Sequence, residues 1–165
     1  MRFFKLTLGT SALAAFAAAL LVASVPSSAR AQGDPMLGTW VLSAAKSKYD
    51  PGPPPKSNTV TREAAGQGVK VSSKGVDAEG KPTAQSYTAN FDGKDYTVTG
   101  SPDYDAVAFK KSGASAAEAT RKKGGKVVQT AKYVVSADGK TLTITSSGTN
   151  AKGQKIHNVS VFDKK

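Results

Sequence analysis

The chain has 165 residues, with 23 Lys and Arg against 12 Asp and Glu, a single histidine and no cysteine. The lack of thiols excludes a disulfide framework, a cysteine nucleophile and a lipid anchor attached at cysteine, and one histidine is too few for a zinc site built from His and Cys. The formal charge of +11 favours adhesion to anionic lipid, polysaccharide or nucleic acid at low salt, and by itself also keeps a small domain soluble.

Arg2 and Lys5 precede an almost unbroken apolar run from Leu6 to Val25, and Ser27, Ser28, Ala29, Arg30 and Ala31 then supply a small-x-small cleavage site. Residues 1–31 therefore read as an export signal peptide, and residues 32–165 as a single domain that works in the periplasm or is secreted. The apolar run is long enough to span a bilayer, so a retained anchor is the competing reading; the site at Ala31 favours removal, with no transmembrane segment afterwards. Cleavage takes away Arg2, Lys5 and Arg30 and no acidic residue, so the basic excess survives it.

From Gly38 onward the sequence reads as short strands between turn signals. Gly38 to Ser43 comes first, and Ser57 to Glu63, rich in Thr and Val, comes second. Between them, Pro51 to Pro55 predicts an extended bridge, because each ring fixes φ and residues before proline avoid the helix. Val69, Val71 and Ser73 alternate with Lys70, Ser72 and Lys74, and Gln85, Tyr87, Ala89 and Phe91 alternate with Ser86, Thr88 and Asn90. This period of two gives each strand one dry and one wet face. Asp92-Gly93 predicts a two-residue hairpin turn into Lys94 to Thr99, which carries Tyr96 and Val98. Asp105 to Lys110 offers Val107 and Phe109, and the alanine-rich Ser115 to Thr120 follows. After Lys122-Lys123-Gly124-Gly125, the segment Lys126 to Ser136 places Val127, Ala131, Tyr133 and Val135 on one face. Thr141 to Ser146, with Leu142 and Ile144, and Gln154 to Phe162 complete the series.

About ten such strands, without the long crossovers of a parallel sheet, predict an all-β, antiparallel up-and-down meander. Closing it into a barrel removes exposed edges, and a β-sandwich is the alternative. The strands are short and lack a continuous apolar outer band, which argues against a membrane barrel. A monomer is expected.

Gly38-Thr39-Trp40, preceded by Asp34-Pro35-Met36-Leu37, resembles the Gly-x-Trp signature that opens the calycin barrels, the lipocalins above all. Asp103-Tyr104 resembles part of their Thr-Asp-Tyr element. The stretch Trp40 to Tyr49, followed by Pro51 to Pro55, also resembles small exported bacterial proteins of unknown function. The lipocalin resemblance implies a barrel closed at one end by Trp40, with an interior that holds a small apolar ligand.

Trp40, Tyr87, Phe91, Tyr96, Phe109 and Tyr133 are the candidates to line such a pocket, and the same side chains also suit a packed core. The scarcity of large aliphatic residues argues against a wide greasy cavity, while the many Ala, Ser and Thr leave space. A filled or nearly filled interior is favoured between them. Tyr49, next to the prolines, suggests a lid folded over the barrel mouth.

Catalytic signals are sparse. His157 sits on a strand, and no Gly-x-Ser-x-Gly elbow surrounds any serine, so no catalytic residue is assigned. The pairs Asp77/Glu79 and Asp103/Asp105 lack the further ligands of a calcium loop and read as solvated turns. No metal and no cofactor is expected. The densest charge, Arg121, Lys122, Lys123 and Lys126 with Lys110 and Lys111 one strand earlier, suits phosphate or sulfate groups of an envelope polymer if all lie at one barrel end. Nucleic acid is excluded as a partner by export and by the lack of aromatics interleaved with these lysines. The expected function is non-enzymatic binding of a small apolar or amphipathic molecule, with binding of anionic lipid or polysaccharide at the basic turn as the alternative.

Overall fold

The alternation of dry and wet residues folds the chain into ten antiparallel strands that form a nearly closed barrel. The structure, a computed structural model, describes residues 33–165; the export signal read over residues 1–31 lies outside the described residues. The strands are β1 (Gly38–Leu42), β2 (Ser57–Ala65), β3 (Gly68–Val76), β4 (Pro82–Asn90), β5 (Asp92–Thr97), β6 (Ala106–Gly113), β7 (Ala116–Lys123), β8 (Lys126–Val135), β9 (Thr141–Thr149) and β10 (Lys155–Lys164). Among the described residues a single 3-10 turn, Ala44–Lys46, interrupts the series. Among the described residues no helix is long and apolar enough to cross a membrane.

Each strand pairs with its sequence neighbour, except that β1 pairs with β10 and the barrel seam falls between β4 and β5. The seam is held where Ser86 and Thr99 exchange both backbone N–H to C=O bonds at 2.9 Å. The hairpin expected at Asp92-Gly93 is therefore not formed. Asp92 belongs to β5 and pairs with Lys110 of β6 across a bulge, so the Asp-Gly pair marks the break in the sheet. Val127, expected inside with Ala131 and Tyr133, is 59% exposed. A bulge between Arg121 and Lys122 shifts the pairing with β8, and Gln129 becomes the first residue of that strand to face inward.

Antiparallel neighbours send their connections alternately to the two ends of the barrel. One end is plugged. There Asp34 accepts from the backbone N–H groups of Met36 and Leu37, and the turn drives Met36 and Trp40 into the barrel, both fully buried. Trp40 Nε1 donates to the Met36 carbonyl at 3.1 Å, which satisfies its one polar atom. Phe109, Leu142, Val69, Ala89 and Ala117 complete this dry half. Each fully buried side chain of the Val, Leu or Phe type contributes about 1.5–3 kcal/mol by leaving water.

At the other end β1 is short, and the chain after it continues along β10. Lys48 and Val159 exchange backbone bonds at 2.8 and 2.7 Å, and the His157 N–H donates to the Asp50 carbonyl at 2.8 Å. This segment carries Tyr49 inward before Pro51 to Pro55 lead to β2.

Candidate functional site

The unplugged half of the barrel holds a cavity of about 650 Å³, within the range of small-molecule pockets. It opens between the β1–β2, β3–β4 and β5–β6 connections, with Tyr49, Lys81 and Asp103 among the residues at its mouth. The interior is thus half filled, against the expectation of a filled or nearly filled barrel. The cause is the small and polar inward side of the strands here, where Ser73, Gln85, Ser146, Asn158 and Ser160 take the positions that Phe109 and Leu142 hold deeper down.

Tyr87 and Tyr133 form the inner wall of the cavity. They rest on Phe109, whose ring centroid is 5.8 Å from Tyr87 and 5.3 Å from Tyr133. Of the expected ligand-lining aromatics these two reach the cavity, while Trp40, Phe91, Tyr96 and Phe109 do not. Trp40 and Phe109 belong to the dry half. Phe91 packs edge-on against Phe109 beneath the Lys111 ammonium, and Tyr96 donates its hydroxyl to Asp92 at 2.9 Å. Tyr49 folds inward as its position beside the prolines suggested, sharing a hydrogen bond of 2.6 Å with Ser160 Oγ.

Two arginines point into this cavity. Arg62 on β2 has Gly38 of β1 on one side and Val71 of β3 on the other, with Tyr87 of β4 beyond Val71, and it is only 2% exposed. Its Nε and Nη2 are buried without a hydrogen-bond partner, and its Cζ lies 5.4 Å from the Tyr133 ring centroid. Arg121 on β7 is better held. Nη1 donates to Gln129 Oε1 at 3.0 Å and to Ser146 Oγ at 3.3 Å, Nη2 donates to the Tyr133 hydroxyl at 2.9 Å, and the Tyr104 ring lies 4.9 Å from Cζ. Among the described residues neither arginine forms a salt bridge.

The titration directions keep this interior positive. Burial works against the charge of Arg121, but the facing Tyr104 and Tyr133 outweigh it and hold its pKa above the ordinary value. Burial, reinforced by Tyr133, pushes the Tyr87 hydroxyl well up, against the pull of Arg62. Burial likewise raises Tyr104 and Tyr49. At neutral pH these phenols are uncharged donors and acceptors around two guanidinium cations.

The basic cluster expected at one end of the barrel is divided by the fold. Arg121 faces inward, and Lys122, Lys123 and Lys126 form the β7–β8 turn at the cavity end, with Lys122 paired to Asp95 at 2.7 Å. Lys110 and Lys111 sit toward the plugged end, because Lys110 pairs with Glu118, four residues along β7 from the partner of Ala106. Lys111 is bound to Asp34 at 2.6 Å. Among the described residues no group of three or more His, Cys, Asp or Glu could hold a metal ion. Of the carboxylates read as solvated turns, Asp77 closes its own by accepting from Lys81 N, while Asp103 accepts from Ala151 N in the β9–β10 connection, Asp105 from Gly124 N in the β7–β8 connection, and Glu79 meets Lys152 at 3.5 Å. His157 lies exposed on the outer face, with Nδ1 2.9 Å from Ser147 Oγ.

Arg62, Arg121, Gln129 and Tyr104 are among the lining residues that the sequence reading does not assign to the cavity. Strand parity marks both arginines: Arg62 is two residues from the buried Val60, and Arg121 two from the buried Ala119. Comparison with known proteins finds no match to this chain among family models, curated proteins or solved structures. What defines the molecule is a ten-stranded antiparallel barrel, plugged at one end and hollow at the other.

Proposed function

We propose that this protein is an exported, non-enzymatic binding protein that takes one small amphipathic molecule into the hollow half of its barrel, in the manner of a lipocalin-like carrier. The observation that supports it is the 650 Å³ cavity with a tyrosine inner wall and hydroxyl and amide groups around it. Aromatic surface contributes most of the burial energy in such a site, and a few polar groups orient the ligand. The fold fits the same role, since ten strands enclose more space than a barrel whose own side chains fill it.

The basic-turn reading has less to stand on. At the cavity end Lys123 and Lys126 are the exposed basic residues of that turn, while Lys110 lies toward the other end and Lys111 and Lys122 are engaged by carboxylates. Native mass spectrometry of the protein purified gently from the envelope of its host tests the carrier reading. A stoichiometric co-purifying small molecule is the expected result. A bare mass, together with failure of the uncharged probe phenylnaphthylamine to gain fluorescence on mixing, would overturn it.

A further inference from the structure

Given that the cavity is a binding site as proposed above, we infer that its ligand is an organic anion whose acidic head sits between Arg62 and Arg121. A guanidinium moved out of water loses its hydration, and that loss is tolerated only when hydrogen bonds or an opposite charge replace it. Arg121 has three neutral acceptors in Gln129, Ser146 and Tyr133. Arg62 has Nε and Nη2 buried with no acceptor at all, although it lines the cavity and is 2% exposed. Those two atoms make one edge of the planar guanidinium fork, the edge that fits two oxygens of a carboxylate, sulfonate or phosphate.

The wall supplies no counter-charge. Among the described residues, the lining carboxylates are Asp77 and Asp103 at the mouth, each accepting a backbone N–H, and neither pairs with an arginine. Tyr87 and Tyr104 beside the two cations are held neutral by burial, so they add hydroxyl donors for an oxyanion and no negative charge. Tyr133 joins the pair, with Arg62 against its ring and Arg121 at its hydroxyl. An anionic head placed here leaves the rest of the molecule against the faces of Tyr87 and Tyr133 and toward the open end.

A matched pair of probes separates the head from the body. Anilinonaphthalene sulfonate and phenylnaphthylamine share their ring system and differ in the anionic group, and each is titrated against the full chain by fluorescence. The sulfonate is expected to bind at least about tenfold more tightly than the uncharged probe, and Arg62→Met or Arg121→Met to abolish that preference, read as the ratio of the two affinities within each variant. Circular dichroism of each variant, and Arg62→Lys, which keeps the charge and loses the fork, guard against misfolding as the cause; the Lys variant is expected to keep part of the preference. Equal binding of the two probes, or a preference unchanged in both Met variants, overturns the anion site while leaving the cavity a binding site. Failure of both probes to bind overturns the carrier reading itself, and the anion site with it.

Discussion

Arg121 donates from Nη2 to the Tyr133 hydroxyl at 2.9 Å, and this bond ties a half-buried, inward-facing cation on β7 to the tyrosine whose ring carries Arg62 on its face. Three strands, β2, β7 and β8, thus meet through one side chain at the inner wall of the cavity. Tyr133→Phe keeps the ring and its contact with Phe109 but removes an acceptor from a charged donor. Hydrogen bonds to charged groups contribute about 1.5–3 kcal/mol, so a loss of that size is expected in urea denaturation, with the slope unchanged.

Arg62 gives a prediction of the opposite sign. A side chain that holds a fold together destabilises it when removed, whereas an unpartnered buried charge destabilises the fold while present. Arg62→Met is therefore expected to raise the thermal midpoint of the ligand-free protein, by about 1 kcal/mol or more in stability. Calorimetry of the variant beside the parent checks this, and a lowered midpoint would mark Arg62 as a structural residue.

The tyrosines set an alkaline limit. Tyr87, Tyr104 and Tyr49 are raised above the ordinary phenol value chiefly by burial, while in the unfolded chain they ionise near pH 10. Above that value the unfolded chain releases protons that the folded barrel retains, so stability is complete below about pH 10 and falls as pH rises through the folded values. Denaturation midpoints measured on either side of pH 10 are expected to drop on the alkaline side, with phenolate absorbance from these residues appearing only as the protein unfolds.

Much of the barrel was legible because period-two patterning survives in nearly every strand. Val69, Val71 and Ser73 are all buried, as are Ala131, Tyr133 and Val135. The site was harder to read for a physical reason. Arginine is among the residues least often buried, so the charge of Arg62 and Arg121 masks the parity each shares with Val60 and Ala119, and in sequence Arg121 reads as one of a basic run with Lys122 and Lys123. Asp92-Gly93 carries the local chemistry of a hairpin, but pairing with Lys110 decides its place, and a partner so far along the chain leaves no local signal. Val127 shows the same limit, because a single bulge beside it, with Val128 unpaired, reverses which face its parity predicts.

Trp40 separates the two halves of the molecule. It is fully buried in the plugged half and bonded to the Met36 carbonyl, and it does not line the cavity. Trp40→Phe removes the indole N–H, leaves that carbonyl unsatisfied and empties part of the packed volume, at a cost of about 1–3 kcal/mol. Probe affinity at the hollow end is expected to stay within about twofold of the parent. A large loss of affinity in a folded variant would show that the plug and the cavity act as one unit.

The seam between β4 and β5 is the part of the barrel with least to hold it, and Gly100 controls how closely it shuts. At Gly100 the backbone has φ of +84°, and a Cβ there would lie 2.1 Å from the Ala84 carbonyl oxygen. Only glycine meets both demands, since a left-handed conformation and a contact of that kind each strain any other residue. Gly100→Ala must push the two chains apart next to the Ser86–Thr99 bridge, which is the pairing that closes the sheet. The expected result is a loss of about 1–3 kcal/mol, with faster amide exchange at Ser86 and Thr99 and unchanged protection at Trp40 and Val60 on the far side of the barrel. Gly100 and Ala84 also line the cavity mouth, so a seam that opens should release bound phenylnaphthylamine faster. If exchange at Ser86 and Thr99 stays slow in the variant, the single bridge is not what limits opening there.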